Sequence, residues 1–309
     1  MGKGLLNPVA AELFMKLEIL RILGNRESLN LIELASELGL QDWEVLEFVN
    51  ELRKYFMIDY VKGKLTWFSG DNPAKIKPWG WHYVYKVAVG STMIAARRAP
   101  PWSILLAEWQ YKSYGRHGKA WISNLGGVWV TLKLEISPRA AQVLPMVIPL
   151  AICRYLEERL DIKAKIKWPN DVVVKGKKLA GFLIEAEVLL DKILAYVGIG
   201  INVNNEPPVE TAISIREVLG KLVPRNNITA YIVGVLGRAE KWSEEAGRVQ
   251  VQYLEYLETL GTRVKLITRN GTYVGVVKGI TESGDIVVET EAGSLKFSSG
   301  EVMELRHLD

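Results

Sequence analysis

The sequence predicts an α+β protein of three units: a helical N-terminal unit ending in a hairpin, a large region mixing strands and helices, and a small all-β tail. Three observations carry this. Apolar residues recur at helical spacing from residue 10 to 52 and then give way to two short strand-like runs. Strand-patterned and helix-patterned segments are mixed from 83 to 260. From Gly261 onwards only short strands and hairpin turns remain. With 309 residues, 49% hydrophobic and 24% charged, the chain has the composition of a globular protein and length for two or three domains. The boundaries are set at 1–70, 71–260 and 261–309.

In the first unit, Leu13, Leu17 and Leu20 mark one face of a helix ended by Gly24 and Asn25. A second helix starts at Asn30, with Glu33 three residues on in the manner of a capping box, carries Leu34 and Leu38, and stops at Gly39. A third starts near Asp42 with Val45, Val49 and Leu52 inward. Residues 58–61 and 65–68 flank the turn Lys62-Gly63-Lys64 as a hairpin. Three helices, a Gly turn between the second and third, and a hairpin look like a winged helix-turn-helix. Residues 69–78 are rich in turn formers and read as a linker. Beyond it, strands are predicted over 83–89, 104–109, 128–134, 166–168, 171–174, 179–187 and 194–199. Long helices are predicted over 139–159, 229–246 and 249–260. The tail offers strands over 263–268, 272–280, 286–290 and 293–297, forming a small barrel packed on the central region.

Composition excludes several classes. A net charge of +4 admits anionic ligands without demanding nucleic acid. The single cysteine, Cys153, permits no intrachain disulfide and sits in an apolar stretch as a core residue. Three histidines and one cysteine, far apart, lack zinc-ligand spacing. The longest apolar stretch, 143–153, is broken by Pro145 and Pro149 and is too short to span a bilayer. No signal-peptide pattern opens the chain, so a cytoplasmic protein is expected.

Four segments carry candidate chemistry. Residues 110–121 follow a strand and hold Gly115, Gly118, Lys112, Arg116, Lys119, two tyrosines and Trp121. The pattern suits phosphate and a flat ring, or equally a basic surface loop. Lys167-Trp-Pro-Asn170-Asp171 leads into a hairpin turning at Lys175-Gly176-Lys177 and returning through Lys178-Leu-Ala-Gly181. There Asn170 and Asp171 can hold a hydrated Mg2+, and the Lys178 ammonium can meet phosphate or carboxylate. Gly198-x-Gly200-x-Asn202 is not the dinucleotide fingerprint; it marks close approach of a ligand or of another strand. Ser91 and Thr92 end a strand before a helix, as caps or as ligand-binding hydroxyls.

In this order the four segments resemble the biotin–protein ligases, in the long form that doubles as a biotin-operon repressor. The family pattern is Ser-Thr, then Gln with a Gly-Arg-Gly-Arg-Arg-Gly loop and Trp, then Lys-Trp-Pro-Asn-Asp with Lys-Leu-Ala-Gly, then Gly-x-Gly-x-Asn. The last two lines of that pattern stand here as Lys167 to Asp171 with Lys178 to Gly181, and as Gly198 to Asn202. The resemblance covers nearly the whole chain, through the tail's Gly300-Glu301-Val302. It implies a central domain related to class II tRNA synthetases and a small SH3-like C-terminal domain. It implies that biotin and ATP condense to biotinyl-adenylate, and that biotin then passes to one lysine of a carboxylase carrier domain. A homodimer and operator DNA are further implied partners. A lipoate or octanoyl transferase of related fold is the alternative, against which the Lys167–Asp171 and Lys178–Gly181 motifs argue.

By that resemblance Lys178, Arg116 and Asp171 are the catalytic set. Biotin is expected at Ser91, Thr92, Met93, Gln110, Tyr114, Gly115, Arg116 and Lys178. ATP is expected at Arg116, Trp121, Lys167, Asn170, Asp171, Lys178 and Asn202, with Mg2+ at Asp171. The chain departs from the pattern at Ser113-Tyr114, where the family has Gly-Arg, at Met93 in place of Asn, and at Asn124 in place of Pro. Altered ligand affinity or loop ordering is the expected result. Charge weakens the DNA expectation. Residues 1–68 hold eight cations against ten acids, a difference of −2, and the third helix carries Asp42, Glu44, Glu47 and Glu51. Only Arg53, Lys54, Lys62 and Lys64 look suited to a phosphate backbone. The N-terminal unit is therefore either a DNA reader or a fold kept for packing or protein interaction.

Overall fold

The computed structural model of the chain describes residues 8–308; Lys3, counted among the N-terminal cations, lies outside them. The first unit runs α1 (Pro8–Gly24), β1 (Leu29–Asn30), α2 (Leu31–Leu38), α3 (Asp42–Leu52), β2 (Ile58–Val61) and β3 (Lys64–Trp67). Asn30 caps α2 by accepting from Ile32 N at 2.9 Å, and Gly39 ends it at φ 69°. The capping-box contact belongs to α3 instead, where Gln41 N donates to Glu44 at 2.8 Å. α1 buries Ile19, Ile22 and Leu23 beyond the single predicted face, because it packs on α3 and also on the edge strand of the next unit. β1 adds a third strand to the hairpin, in the order β1-β3-β2.

The predicted linker is not a solvated tether. Asp71 and Asn72 are fully buried, and Pro73–Lys75 form a 3-10 turn capped by Asn72. Asp71 accepts from Met57 N and Trp67 Nε1, both at 2.9 Å, tying it to the first unit.

The central sheet has seven strands: β4 (His82–Val89), β5 (Ser103–Gln110), β6 (Val128–Ile136), β7 (Lys165–Lys167), β8 (Asp171–Val174), β9 (Lys177–Val188) and β10 (Ile193–Ile201). Their order is β4-β5-β6-β10-β9-β8-β7, with only β4 and β5 parallel. One face is covered by α5 (Pro138–Leu160), α7 (Arg225–Leu236), α8 (Ala239–Glu244) and α9 (Ala246–Tyr256); α4 (Thr92–Ala96) and α6 (Ile215–Leu219) are short. α5 is long and apolar enough to cross a membrane, but 72% of its most apolar stretch is buried, so its apolarity serves the core. Cys153 is among its buried residues.

The single helix predicted over 229–246 is two. The chain bends at Gly237, where a Cβ would meet Val233 O at 3.2 Å and Trp81 at 3.4 Å, and Trp242 Nε1 folds back onto Val235 O at 2.9 Å. The helix predicted over 249–260 stops at Tyr256. Leu257 leaves it to bridge Ile166, and Glu258 N donates to Ile166 O at 2.9 Å. The tail is an antiparallel sheet of β11 (Arg263–Thr268), β12 (Gly271–Ile280), β13 (Ile286–Thr290), β14 (Gly293–Phe297) and β15 (Val302–His307), in the order β14-β13-β12-β11-β15. β15 is unpredicted: Glu304 and Arg306 break its apolar alternation, and pairing with β11 holds it in place.

Candidate functional site

The site lies on the sheet face opposite α5. Side chains alternate along β10, so Ala195, Val197, Ile199 and Ile201 enter the main core, while Leu194 and Tyr196 join the small cluster around Met93 and Leu105. Gly198 and Gly200 share that second face. A Cβ on Gly198 would stand 2.7 Å from Met93 Sδ, and one on Gly200 2.4 Å from Trp121 Cζ2. Gly181, paired with Gly200 across β9, leaves 3.1 Å to both Lys178 Nζ and Trp121 Cζ3. These glycines are the floor on which Trp121 and Met93 are seated.

At one end Gln110 orders the start of α4. Its Oε1 accepts from Thr92 N at 2.7 Å and Thr92 Oγ1 at 3.0 Å, and its Nε2 donates to Ser123 Oγ at 2.9 Å. Thr131 Oγ1 donates to Thr92 Oγ1 at 2.8 Å. Ser91 is the N-cap residue but makes no side-chain capping bond. Neither hydroxyl is therefore spent on capping.

Residues 113–121 fold back on themselves. Trp121 N donates to Ser113 O at 3.1 Å, Tyr114 bridges Ala120, and Gly115 N donates to Lys119 O at 2.8 Å. The turn uses left-handed backbone at His117 (φ 55°) and Gly118 (φ 71°). Arg116 points inward, donating to Asn170 Oδ1 at 3.3 Å, to Val302 O at 2.7 Å and to Ser299 O at shorter range. Burial draws its pKa down, with the Asp171 charge opposing. Its partners are carbonyl oxygens and, at 3.5 Å, His117 Nε2, none of them a carboxylate, so its charge is uncancelled by direct ion pairing. Lys178 Nζ lies 2.7 Å from Asp171 Oδ1 and 4.9 Å from the centre of the Trp121 ring. Asp171 Oδ1 and Trp121 Nε1 are buried without a hydrogen bond of good geometry, the Lys178 ammonium approaching the oxygen off-axis.

The cleft encloses about 350 Å³, the size of a small-molecule site. Ser91, Thr92, Met93, Gln110, Tyr114, Gly115, Arg116, Trp121, Lys167, Asn170, Asp171 and Lys178 all line it. Asn202 does not: it is buried, and its Oδ1 accepts from Asn205 Nδ2 at 2.9 Å. Lys119, read in the sequence as one cation of the 110–121 segment, lines the cleft as well, and so do His117, Phe182, Leu183 and residues 302–305, which the sequence had not assigned to it. Phe182 and Leu183 extend the motif ending at Gly181 and were within reach of it; nothing local marks 302–305, which arrive through β15. Among the described residues no three His, Cys, Asp or Glu side chains gather as a metal cage. One carboxylate, Asp171, beside one amide, Asn170, fits a cation that brings most of its own ligands.

Arg53, Lys54, Lys62 and Lys64 belong to the chain's first unit and do not line this cleft. Arg53 Nε donates to Ile58 O at 3.0 Å and Lys54 pairs with Glu51 at 2.6 Å. Lys62 and Lys64 flank the exposed hairpin turn, and the exposed face of α3 shows Asp42, Trp43, Glu47 and Asn50.

Cations that outnumber the carboxylates of Asp171 and Glu304, with a seated tryptophan, around a small cleft call for an anionic ligand with a flat ring. The class of protein is an enzyme that handles such a ligand on a mixed sheet, with a small β-domain at its rim. Residues 97–204 match the biotin/lipoate A/B protein ligase family, and 259–303 match the biotin protein ligase C-terminal domain. The bifunctional ligase/repressor BirA of Bacillus subtilis is 28% identical over 298 residues, covering 87% of this chain and 92% of its own. The biotin–[acetyl-CoA-carboxylase] ligase of Mycobacterium tuberculosis is 28% identical over 248 residues, or 74% of this chain and 91% of its own. The biotin protein ligase of Aquifex aeolicus, solved with biotin and ATP, superposes with a TM-score of 0.62 at 30% identity, covering 73% of this chain and 99% of that one. The chain belongs to the biotin–protein ligase family, in the long form with a further N-terminal unit.

Proposed function

We propose that the protein joins biotin to ATP, releasing pyrophosphate and forming biotinyl-5'-AMP, and then passes biotin to a lysine of a biotin carboxyl carrier domain. The observation that carries this is the convergence of Lys178, Arg116 and Asp171 on one cleft with Trp121. Attack of a carboxylate on the α-phosphate needs alignment and charge neutralisation more than a protein nucleophile. Lys178 neutralises carboxylate and phosphate together, and Arg116 takes the phosphate side. Ser91, Thr92, Met93, Gln110, Tyr114 and Gly115 form the biotin end. Trp121, Lys167 and Asn170 meet the nucleotide, and Asp171, with Asn170 beside it, would hold a Mg2+ ion that would neutralise phosphate charge. Asn202 supports this region through Asn205. In the second step the ε-amine of the carrier lysine attacks the acyl carbon and AMP leaves.

The test is incubation of the full chain with biotin, ATP, Mg2+ and a biotin carboxyl carrier domain. One biotinyl group on one lysine, dependent on ATP, is the expected product. Its absence, or equal labelling by lipoate or octanoate, rejects the reading in favour of an acyltransferase of related fold. The domains divide at 1–70, 71–260 and 261–309, and the middle one is of the class II synthetase kind. The tail is read as an SH3-like domain. A homodimer in the cytoplasm completes the reading, on family grounds.

The N-terminal unit is proposed to be a winged helix-turn-helix. Two separate observations pull its role apart. Relatives named as ligase/repressors favour operator DNA, met through Lys62 and Lys64 at the wing. The acidic exposed face of α3 favours a role in packing or protein contact. With biotin and ATP present, a gel shift at low salt with the DNA upstream of the chain's own gene separates them. A shift weakened by Lys62→Ala with Lys64→Ala gives the repressor; no shift at micromolar protein gives the ligase alone.

A further inference from the structure

Beside the backbone bonds and the Arg116 contacts, the two side chains that depart from the family pattern in residues 113–121 add their own ties to the closed segment. Ser113 Oγ donates to Trp121 O at 2.6 Å and lies 3.2 Å from Ser123 Oγ, pinning the two ends of the segment together. Tyr114 reaches over the cleft and its OH donates to Glu185 Oε2 at 3.3 Å. That carboxylate is itself fixed. Arg97, at the C-terminus of α4, donates to Glu185 at 2.7 Å and to Glu187 at 2.9 Å, and its guanidinium lies 5.1 Å from the centre of the Tyr196 ring. Burial, then the Glu185 charge, raises the Tyr114 pKa, so the phenol keeps its proton at neutral pH. The ring of Tyr114 packs at the edge of the cluster of Met93, Leu105 and Tyr196. A glycine and an arginine at these two positions would supply neither the hydroxyl at Trp121 nor the phenol among apolar side chains.

We propose that Ser113 and Tyr114 are positioning residues: a clasp, made of the chain's own side chains, that closes residues 113–121 over the cleft and sets Arg116 and Trp121 in place before any ligand enters. This deepens the ligase reading and rests on it for the consequence in catalysis. Closure that is already made removes an ordering step from ligand binding, so the clasp acts on affinity. The chemistry of the bound substrates stays with Lys178, Arg116 and Asp171.

The test uses the full chain and the variants Tyr114→Phe, Ser113→Ala and Glu185→Gln, checked for equal thermal midpoints. Trypsin cleavage after Lys112, Arg116 and Lys119 is followed by mass spectrometry without ligand. Each variant is expected to be cut roughly three- to tenfold faster than wild type, the weight of one hydrogen bond on a local opening equilibrium. Biotin with ATP is expected to slow the variants back towards the wild-type rate. In the labelling reaction KM for biotin is expected to rise by about twofold or more in Ser113→Ala, at a position not among those assigned to biotin, while kcat changes less. Cleavage rates equal to wild type in both Tyr114→Phe and Ser113→Ala overturn the clasp, and so does a fall in kcat at unchanged KM. The ligand-free comparison decides the clasp without any activity. A failure of biotin and ATP to protect wild type and variants alike would fall on the ligase reading.

Discussion

Replacing Lys178 by Ala is expected to slow carrier labelling by roughly 10²–10³-fold, the usual cost of removing one charge aimed at a transition state. Lys178 enters the cleft from β9, two pairs from where Asp171 faces Gly181, and its ammonium sits between Asp171 and the Trp121 ring. Arg116, which also lines the cleft, is turned to Asn170 and to the carbonyls of Ser299 and Val302 and does not take its place. The fold is expected to tolerate the change, because the Asp171 side chain is 25% exposed and can be solvated once unpaired. Lys178→Arg keeps the charge but not the point-like ammonium, and an intermediate rate is expected. Labelling by Lys178→Ala within tenfold of wild type, in protein of unchanged thermal midpoint, would remove Lys178 from the chemistry.

The largest expected effect on stability lies elsewhere, at Arg225. Its side chain is 1% exposed; Nε donates to Asp71 at 2.7 Å, Nη1 to Glu108 at 2.6 Å and Nη2 to Asp71 O at 2.8 Å. Phe56 and Trp67 of the first unit face the guanidinium, 4.7 and 5.9 Å from ring centre to Cζ, and Tyr85 donates to Glu108 at 3.1 Å. Burial opposes the charge on Arg225, but Asp71 and Glu108 outweigh it and raise its pKa. Arg225→Met leaves two buried carboxylates without a counter-charge, at a cost of about 3–5 kcal/mol in urea unfolding at neutral pH. Adding Asp71→Asn and Glu108→Gln is expected to recover much of that loss. The single variant's deficit also depends on pH. Burial already pushes the Glu108 carboxyl up, with Arg225 as the main opposing influence. Without Arg225 its folded pKa rises further above the unfolded value. Stability is then retained below the unfolded pKa and lost as pH rises through the folded one, so the deficit is expected to shrink as pH falls from neutral towards 4.5. A deficit under about 1 kcal/mol at neutral pH would show the cluster to be dispensable.

Much of the fold is legible because local pattern and tertiary role agree. β10 reads as a strand with two glycines, and those glycines lie where a Cβ would strike Met93 and Trp121. The hairpin from Asp171 to Gly181 carries its turn and its charged ends within a dozen residues, so sequence spacing already brings them together. What escapes depends on distant partners. Residues 69–78 have a turn-forming composition, and only Arg225, far along the chain, explains why Asp71 is buried. Arg116 is recognisable as a cation for phosphate, but its carbonyl partners at 299 and 302 come from another domain. The break at Gly237 depends on Trp81 filling the space beside it. Asn202 sits in a motif shared with its family, yet its side chain faces Asn205 and not the cleft.

The Arg225 cluster also bears on how such a chain can be shortened. Two of the groups around the guanidinium, Phe56 and Trp67, come from the first unit, and Asp71 lies just past its boundary. A cut at residue 70 removes both rings, strips Asp71 of its bonds to Met57 and Trp67, and opens a two-carboxylate, one-guanidinium charge set to water. The seam between the units is thus a shared charge and not a hinge. Dropping the N-terminal unit also changes the setting of Asp71, Glu108 and Arg225, so substitutions at these three are expected to matter differently in the long and shortened chains.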